Sequence, residues 1–186
     1  MSKSTLFTIG HSTRAWSAFV SLLQAWKIDE LIDVRTVPRS RAFPWFSKNK
    51  MEKALPKSGI RYLHIPALGG FRIPGTESIN TGWQNARFRA YADYMQTKDF
   101  ESGIAELDRC RKKGRVCIMC SEALWWRCHR RMIADAEVAR GIPVRHIMSE
   151  TTAPRHELTD FAVVTKKRCR QPILSYPSSI PAGDAR

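Results

Sequence analysis

Five short apolar runs, separated by stretches with helical periodicity, constrain this chain more than any other feature. They are Leu6-Phe7-Thr8-Ile9, Leu31-Ile32-Asp33-Val34, Ile60-Arg61-Tyr62-Leu63-His64-Ile65, Val116-Cys117-Ile118-Met119-Cys120 and Val144-Arg145-His146-Ile147-Met148. After the first run, Trp16, Phe19, Val20, Leu23 and Trp26 recur at helical spacing, and after the second a short pattern near Lys48 to Lys57 stops at Gly59. Phe88, Tyr91, Ala92 and Met95, then Phe100, Ile104 and Leu107, mark two helices after the third run. Met132, Ile133, Ala136 and Ala139 mark another after the fourth, closed by Gly141. Apolar runs of this kind belong to strands buried on both faces, and their alternation with helices requires crossover connections. The expected fold is a single three-layer α/β domain with a mostly parallel sheet of about five strands and helices on both faces. Residues 66 to 83 hold Pro66, Gly69, Gly70, Pro74, Gly75 and Gly82 and are expected to form a long loop.

A chain of 186 residues fits one such domain, taken as residues 1–165. Residues 166–186 carry three of the ten prolines and no apolar periodicity, and are expected to form a basic, disordered tail. The formal net charge is +14. Lys166, Lys167, Arg168, Arg170 and Arg186 against Asp184 leave the tail at +4. Arg35, Arg39, Arg41, Lys48, Lys50, Lys53, Lys57 and Arg61 against Glu52 leave residues 35–61 at +7, with Phe43, Trp45 and Phe46 among them. Half of the excess charge thus sits in one segment. Cations for phosphates and rings for base stacking suit an anionic ligand, a nucleotide or a nucleic acid, and equally suit a solvated basic face over satellite core. No stretch approaches the roughly 18 apolar residues that a membrane span needs, and no charged leader precedes an apolar run at the N-terminus. A cytoplasmic protein with no membrane partner is expected. The five cysteines are odd in number and lack a secretion signal, which favours reduced thiols over a disulfide framework.

Ligands of open parallel sheets bind outside the carboxyl ends of the strands. Those ends carry Gly10-His11-Ser12, then Asp33-Val34-Arg35 with Arg39 and Arg41, then His64, and then Cys120-Ser121-Glu122 with Trp126-Arg127-Cys128-His129-Arg130. Candidate catalytic residues are Cys120, His11, His129 and Glu122. Candidate substrate-binding residues are Ser12, Asp33, Arg35, Arg39, Arg41, His64, Trp126, Arg127 and Arg130. Cys120 stands at a strand end ahead of a helix whose dipole favours thiolate, with Arg127, His129 and Arg130 nearby in sequence; otherwise it closes a buried strand as a small apolar residue. His11 lies in a turn where Ser12 or Thr13 would cap the following helix. His64 and His146 read as satisfied core histidines or as site residues, and Trp125-Trp126 walls a pocket or packs. Cys117 and Cys120 form a C-x-x-C string inside a strand, which points them to opposite faces roughly 10 Å apart, too far for a disulfide or a shared metal. Cys120, Cys128 and His129 lack paired zinc-ribbon spacing, so no metal and no cofactor are expected.

Together, Thr8-Ile9-Gly10-His11-Ser12, Asp33-Val34-Arg35 with Pro38-Arg39-Ser40-Arg41, Tyr62-Leu63-His64-Ile65-Pro66 with Leu68-Gly69-Gly70-Phe71-Arg72, Phe88 through Met95, and Met119-Cys120-Ser121-Glu122 with Trp126 through Arg130 resemble the domain-of-unknown-function 488 family. The resemblance spans about residues 5 to 165, with alanine more usual at Ser121 and proline at Trp125. It implies a compact cytoplasmic α/β protein of bacteria or archaea, and it implies no established reaction. The residues themselves leave three functions open. One is an enzyme acting on a phosphate-bearing substrate, another a non-catalytic nucleic-acid-binding module built on residues 35–61, and the last a thiol-dependent sulfur or redox protein using Cys120.

Overall fold

The computed structural model describes residues 5–165 and 171–178. Five strands, β1 (Leu6–Gly10), β2 (Glu30–Asp33), β3 (Arg61–His64), β4 (Val116–Cys120) and β5 (Val144–His146), form an all-parallel sheet in the order β3-β2-β4-β1-β5. Five helices connect them: α1 (Trp16–Ala25), α2 (Lys48–Ala54), α3 (Ala86–Tyr94), α4 (Lys98–Arg111) and α5 (Arg130–Ala139). This is the α/β architecture that the alternating apolar runs require.

Side chains alternate across each strand, so the sheet divides the core in two. Phe7, Ile9, Leu31, Cys117 and Met119 pack with Phe19 and Leu23 of α1 and Met51 of α2. Leu6, Ile32, Val116, Ile118, Cys120 and Val144 pack with Tyr91 of α3, Ile104 and Leu107 of α4, and Met132 and Ile133 of α5. All five residues of β4 are buried, as expected for a central strand covered on both sides, and each large apolar side chain there contributes about 1.5–3 kcal/mol. Cys117 and Cys120 indeed fall into opposite core clusters.

The sheet order also locates the site. The chain leaves β1 through α1 on one face and leaves its neighbour β4 through α5 on the other, so a crevice opens beyond the carboxyl ends of these two strands. Their pairing continues past the ladder, with His11 N donating to Cys120 O at 3.0 Å and Ser12 N to Ser121 O at 3.0 Å. Gly10 is required here, because a Cβ would lie 1.9 Å from the Glu122 carbonyl oxygen.

Two sequence expectations are corrected. Neither Ser12 nor Thr13 caps α1: Ala15 occupies the N-cap without a side-chain bond, and Ser12 instead adopts a left-handed turn at φ 47°. The tail is not unpacked throughout. Strand β7 (Ile173–Ser175) pairs antiparallel with β6 (Val163–Thr165). Leu174 and Tyr176 are buried, and Tyr176 N donates to Asn80 Oδ1 at 2.8 Å. A three-residue strand shows too little periodicity to be read from sequence. The rest of that segment, residues 166–170 and 179–186, lies outside the described residues. Among the described residues, no helix is long and apolar enough to cross a membrane.

Candidate functional site

A cleft of about 420 Å³ lies outside the sheet's carboxyl edge. Arg35, Thr36, Val37 and Arg39 approach it from the segment after β2, Gly70 and Phe71 from the loop after β3, and Arg87, Phe88 and Tyr91 from α3. Cys120 at the end of β4, and Ser121, Glu122, Arg127, Cys128 and His129 after it, complete the lining. Val37 and Phe71 are 62% and 66% exposed, so the rim is apolar between its arginines. Gly70 is held tight to the site, since a Cβ there would fall 2.3 Å from His129 Nδ1.

Two thiols form the floor. Cys120 Sγ lies 2.7 Å from Cys128 Sγ, and both residues are buried. Arg130 Nε donates to Cys120 Sγ at 3.1 Å and Glu122 N donates to it at 3.3 Å. On the other side, His129 Nδ1 is 3.4 Å from Cys128 Sγ, while its Nε2 donates to Val34 O at 2.9 Å. That second bond assigns the ring proton to Nε2 and leaves Nδ1 to accept from the thiol, the arrangement of a cysteine–histidine pair. Cys128, not Cys120, lies just ahead of α5, with His129 at the N-cap between them. Nine residues, among them a 3-10 turn over Trp125–Arg127, separate Cys120 from that helix, which corrects the expectation that Cys120 itself stands ahead of the helix dipole.

Arg130 explains the electrostatics. It is 1% exposed, and among the described residues no carboxylate lies within ion-pair distance of it. Its remaining nitrogens donate to Glu122 O at 2.5 Å, Ala123 O at 3.3 Å and Thr8 Oγ1 at 3.3 Å, all neutral acceptors. A buried guanidinium requires a counter-charge, and the sulfur pair is the group placed to supply it. Burial alone raises a thiol. At Cys128 the hydrogen bond from Cys120, His129 and Arg130 overcome burial and hold the group well below the ordinary thiol range. Cys120, desolvated and facing that thiolate, is pushed well above it. Their mutual contact thus drives the two thiols apart, Cys128 down and Cys120 up.

Behind Arg130 runs a buried polar chain. Thr8 Oγ1 meets His146 Nδ1 at 2.8 Å, His146 Nε2 meets His156 Nδ1 at 3.0 Å, and His156 Nε2 meets Asp135 Oδ1 at 2.8 Å. Thr159 and Tyr176 hydroxyls donate to Asp135 Oδ2. His146 stacks on Trp125 at 4.0 Å, and burial first, then the nearby His156 and Arg130, pushes its pKa down to about 2, so it is neutral. His146 is thus a satisfied core histidine, and Trp125 packs on it.

On the α1 and α2 side, a second cluster is closed on itself. Asp33 receives Arg35 Nε at 2.9 Å, Arg35 Nη2 at 2.6 Å and the Tyr62 hydroxyl at 2.8 Å. Arg35 also donates to Phe46 O at 2.7 Å and to His11 Nε2 at 3.2 Å. His11 Nδ1 donates to Ser12 O at 2.9 Å, and the ring stacks on Phe46 at 4.2 Å. Burial lowers the His11 pKa to about 4, with Arg35 adding to the effect against the Ser12 bond, so the ring accepts from Arg35 as a neutral base. His64 Nε2 donates to Arg35 O at 2.8 Å.

Of the residues singled out from sequence, Cys120, Glu122, Arg35, Arg39, Arg127 and His129 meet at one cleft, with Arg130 directly beneath. His11, Asp33 and Ser12 support its walls from behind. His64 lines a neighbouring pocket of about 410 Å³ with Arg39, Ser47 and Lys48. Arg41 and Trp126 are exposed outside the lining of both. Sequence reasoning missed Cys128 as the thiol partner of Cys120, and Arg87, Phe88 and Tyr91 as lining residues. A Cys-His pair directly ahead of a helix was the available signal for the former. For the latter, the helical stripe through Phe88 and Tyr91 showed only a buried face. Among the described residues, no group of three or more histidine, cysteine, aspartate or glutamate side chains is placed to hold a metal ion.

In comparison with known proteins, the family model described as domain of unknown function DUF488 matches residues 15–137. That span runs from the start of α1 into α5 and includes Cys120, Cys128, His129 and Arg130. No curated protein and no solved structure matches the chain.

Proposed function

The chain belongs to the DUF488 family, and from the geometry of its cleft we propose that it is a thiol-dependent enzyme acting on a phosphate-bearing substrate, a nucleotide or a nucleic acid. One observation carries this reading: a thiol pair charged by a buried arginine opens onto the same cleft that Arg39, Arg87 and Arg127 line. The three arginines hold phosphate oxygens by charge-assisted hydrogen bonds, and Val37, Phe71 and Phe88 offer the apolar surface that a base requires. The thiolate of the Cys120–Cys128 pair is the nucleophile, with His129 Nδ1 exchanging its proton. The neighbouring pocket, which shares Thr36, Val37 and Arg39 with the cleft and adds Lys48, supplies a second cationic position one step along the surface. This favours a nucleic-acid strand, with the half-exposed Trp45 as a stacking surface. A cytoplasmic location, where thiols are kept reduced, belongs to the same reading.

The test is protection. Inorganic phosphate, nucleoside monophosphates and short single strands should raise the thermal midpoint and slow alkylation of the thiol pair in the full chain, less so as salt increases. Arg127→Ala should weaken that protection. Absence of both stabilisation and thiol protection by every phosphate compound would remove the reading.

A further inference from the structure

We propose that Cys128 and Cys120 form a dithiol–disulfide couple that reduces small anionic disulfides, with Cys128 attacking and Cys120 resolving. The inference uses the same cleft as the reading above but does not depend on a phosphate substrate. Its basis is the placement of two sulfurs from opposite ends of one loop at 2.7 Å, so that a bond of about 2.05 Å needs only a small approach. Two thiols serving only as packing have no need of a buried guanidinium on one and an imidazole nitrogen on the other. Those contacts also give the two sulfurs different tasks. Cys128 follows the 3-10 turn and has His129 Nδ1 to take its proton, whereas Cys120 ends β4 and receives Arg130 Nε and the Glu122 amide.

The exchange balances without any further reactant. The Cys128 thiolate attacks one sulfur of the substrate disulfide, the substrate S–S bond breaks, and the departing thiolate takes up a proton. Cys120 then gives up its proton and attacks the Cys128 sulfur of the mixed disulfide. The second substrate thiol leaves, and an intramolecular disulfide remains. Two electrons pass from the cysteine pair to the substrate, and an external dithiol reverses both steps. As the intramolecular bond forms, Arg130 loses its anionic partner, which favours return to the reduced state. Arg39, Arg87 and Arg127 around the opening select a disulfide that carries carboxylates.

The experiment equilibrates the full-length protein with graded mixtures of reduced and oxidised glutathione, followed by acid quenching, alkylation and peptide mapping. The expected product is a Cys120–Cys128 disulfide formed with release of two glutathione thiols. Cys120→Ser should stop at a glutathione adduct on Cys128. Should that variant fail to fold, mapping of the unaltered chain remains decisive. Oxidised glutathione should react about tenfold faster than the neutral hydroxyethyl disulfide at low salt, and Arg127→Ala should narrow the ratio. The proposal is overturned if Cys120 and Cys128 stay reduced in the most oxidising mixture while Cys169 alone reacts, or if the neutral disulfide reacts as fast as the anionic one. Disulfide formation without phosphate protection would remove the phosphate reading and leave this one. The converse result would remove this one.

Discussion

Two buried arginines at the same edge of the sheet have opposite surroundings. Arg35 is held by the Asp33 carboxylate, with Tyr62, His11 and the Phe46 carbonyl completing its contacts. Arg130 faces two sulfurs and neutral oxygens. The Asp33 carboxylate is taken up by the Arg35 guanidinium and the Tyr62 hydroxyl, so the first cluster is a fixed clasp that positions the loop after β2. A thiolate is ionised only because of its partner, and it is both a nucleophile and oxidisable, so the second cluster holds its charge in a reactive form. The lesson is that a buried cation marks chemistry only when its counter-charge is itself reactive.

The comparison can be broken by removing each anion or cation in turn. Asp33→Asn keeps the shape of the clasp and leaves Arg35 buried without a counter-charge, and should cost about 3–5 kcal/mol of stability, read from urea unfolding. An unchanged midpoint would mean that the clasp does not hold the fold.

The next effect concerns His11. Its pKa is lowered to about 4 in the fold against an unfolded value of about 6.5, so the folded chain binds fewer protons between them. The associated stability is complete above about pH 6.5 and is lost as pH falls toward 4, by at most about 3.4 kcal/mol. His11→Phe, which keeps the stack on Phe46, should flatten the stability profile in that window; equal slopes for the two proteins would refute the assignment.

Arg130→Met is read on reactivity, where the expected effect is the smallest of the three in free energy. With the cation gone, the thiol pair should rise back toward the ordinary thiol range, and alkylation at neutral pH should fall about tenfold, as for a thiol whose pKa lies about one unit above the pH. An alkylation rate that stays the same would show that the two clusters do not differ in the way their contacts imply.

Much of this was legible in the residues. The strand β4 stood out as an unbroken apolar run, and the groups at the strand ends did converge, because in a parallel sheet every carboxyl end lies at one edge. What was illegible depends on loops. Cys120 was singled out as the thiol, yet its partner arrives through a nine-residue connection whose path is set by Gly10 against Glu122, Gly70 against His129, and Arg130 on the Glu122 and Ala123 carbonyls. The tail strand was missed for a related reason, since Ile173–Ser175 is stabilised by pairing with β6 and by Tyr176 reaching Asn80, not by any local pattern.

By itself the sequence determined the periodicities, and through them the sheet, its two covering layers and the edge at which polar residues gather. These follow from contacts between near neighbours, whose spacing is written into the chain. Only the tertiary structure decided which cation meets which anion. Arg35 and Arg130, Cys120 and Cys128, and His11 and His146 look interchangeable as residue types. Their roles separate only through ångström-scale distances between positions as far apart in the chain as Thr8 and His146, where burial makes every pairing count.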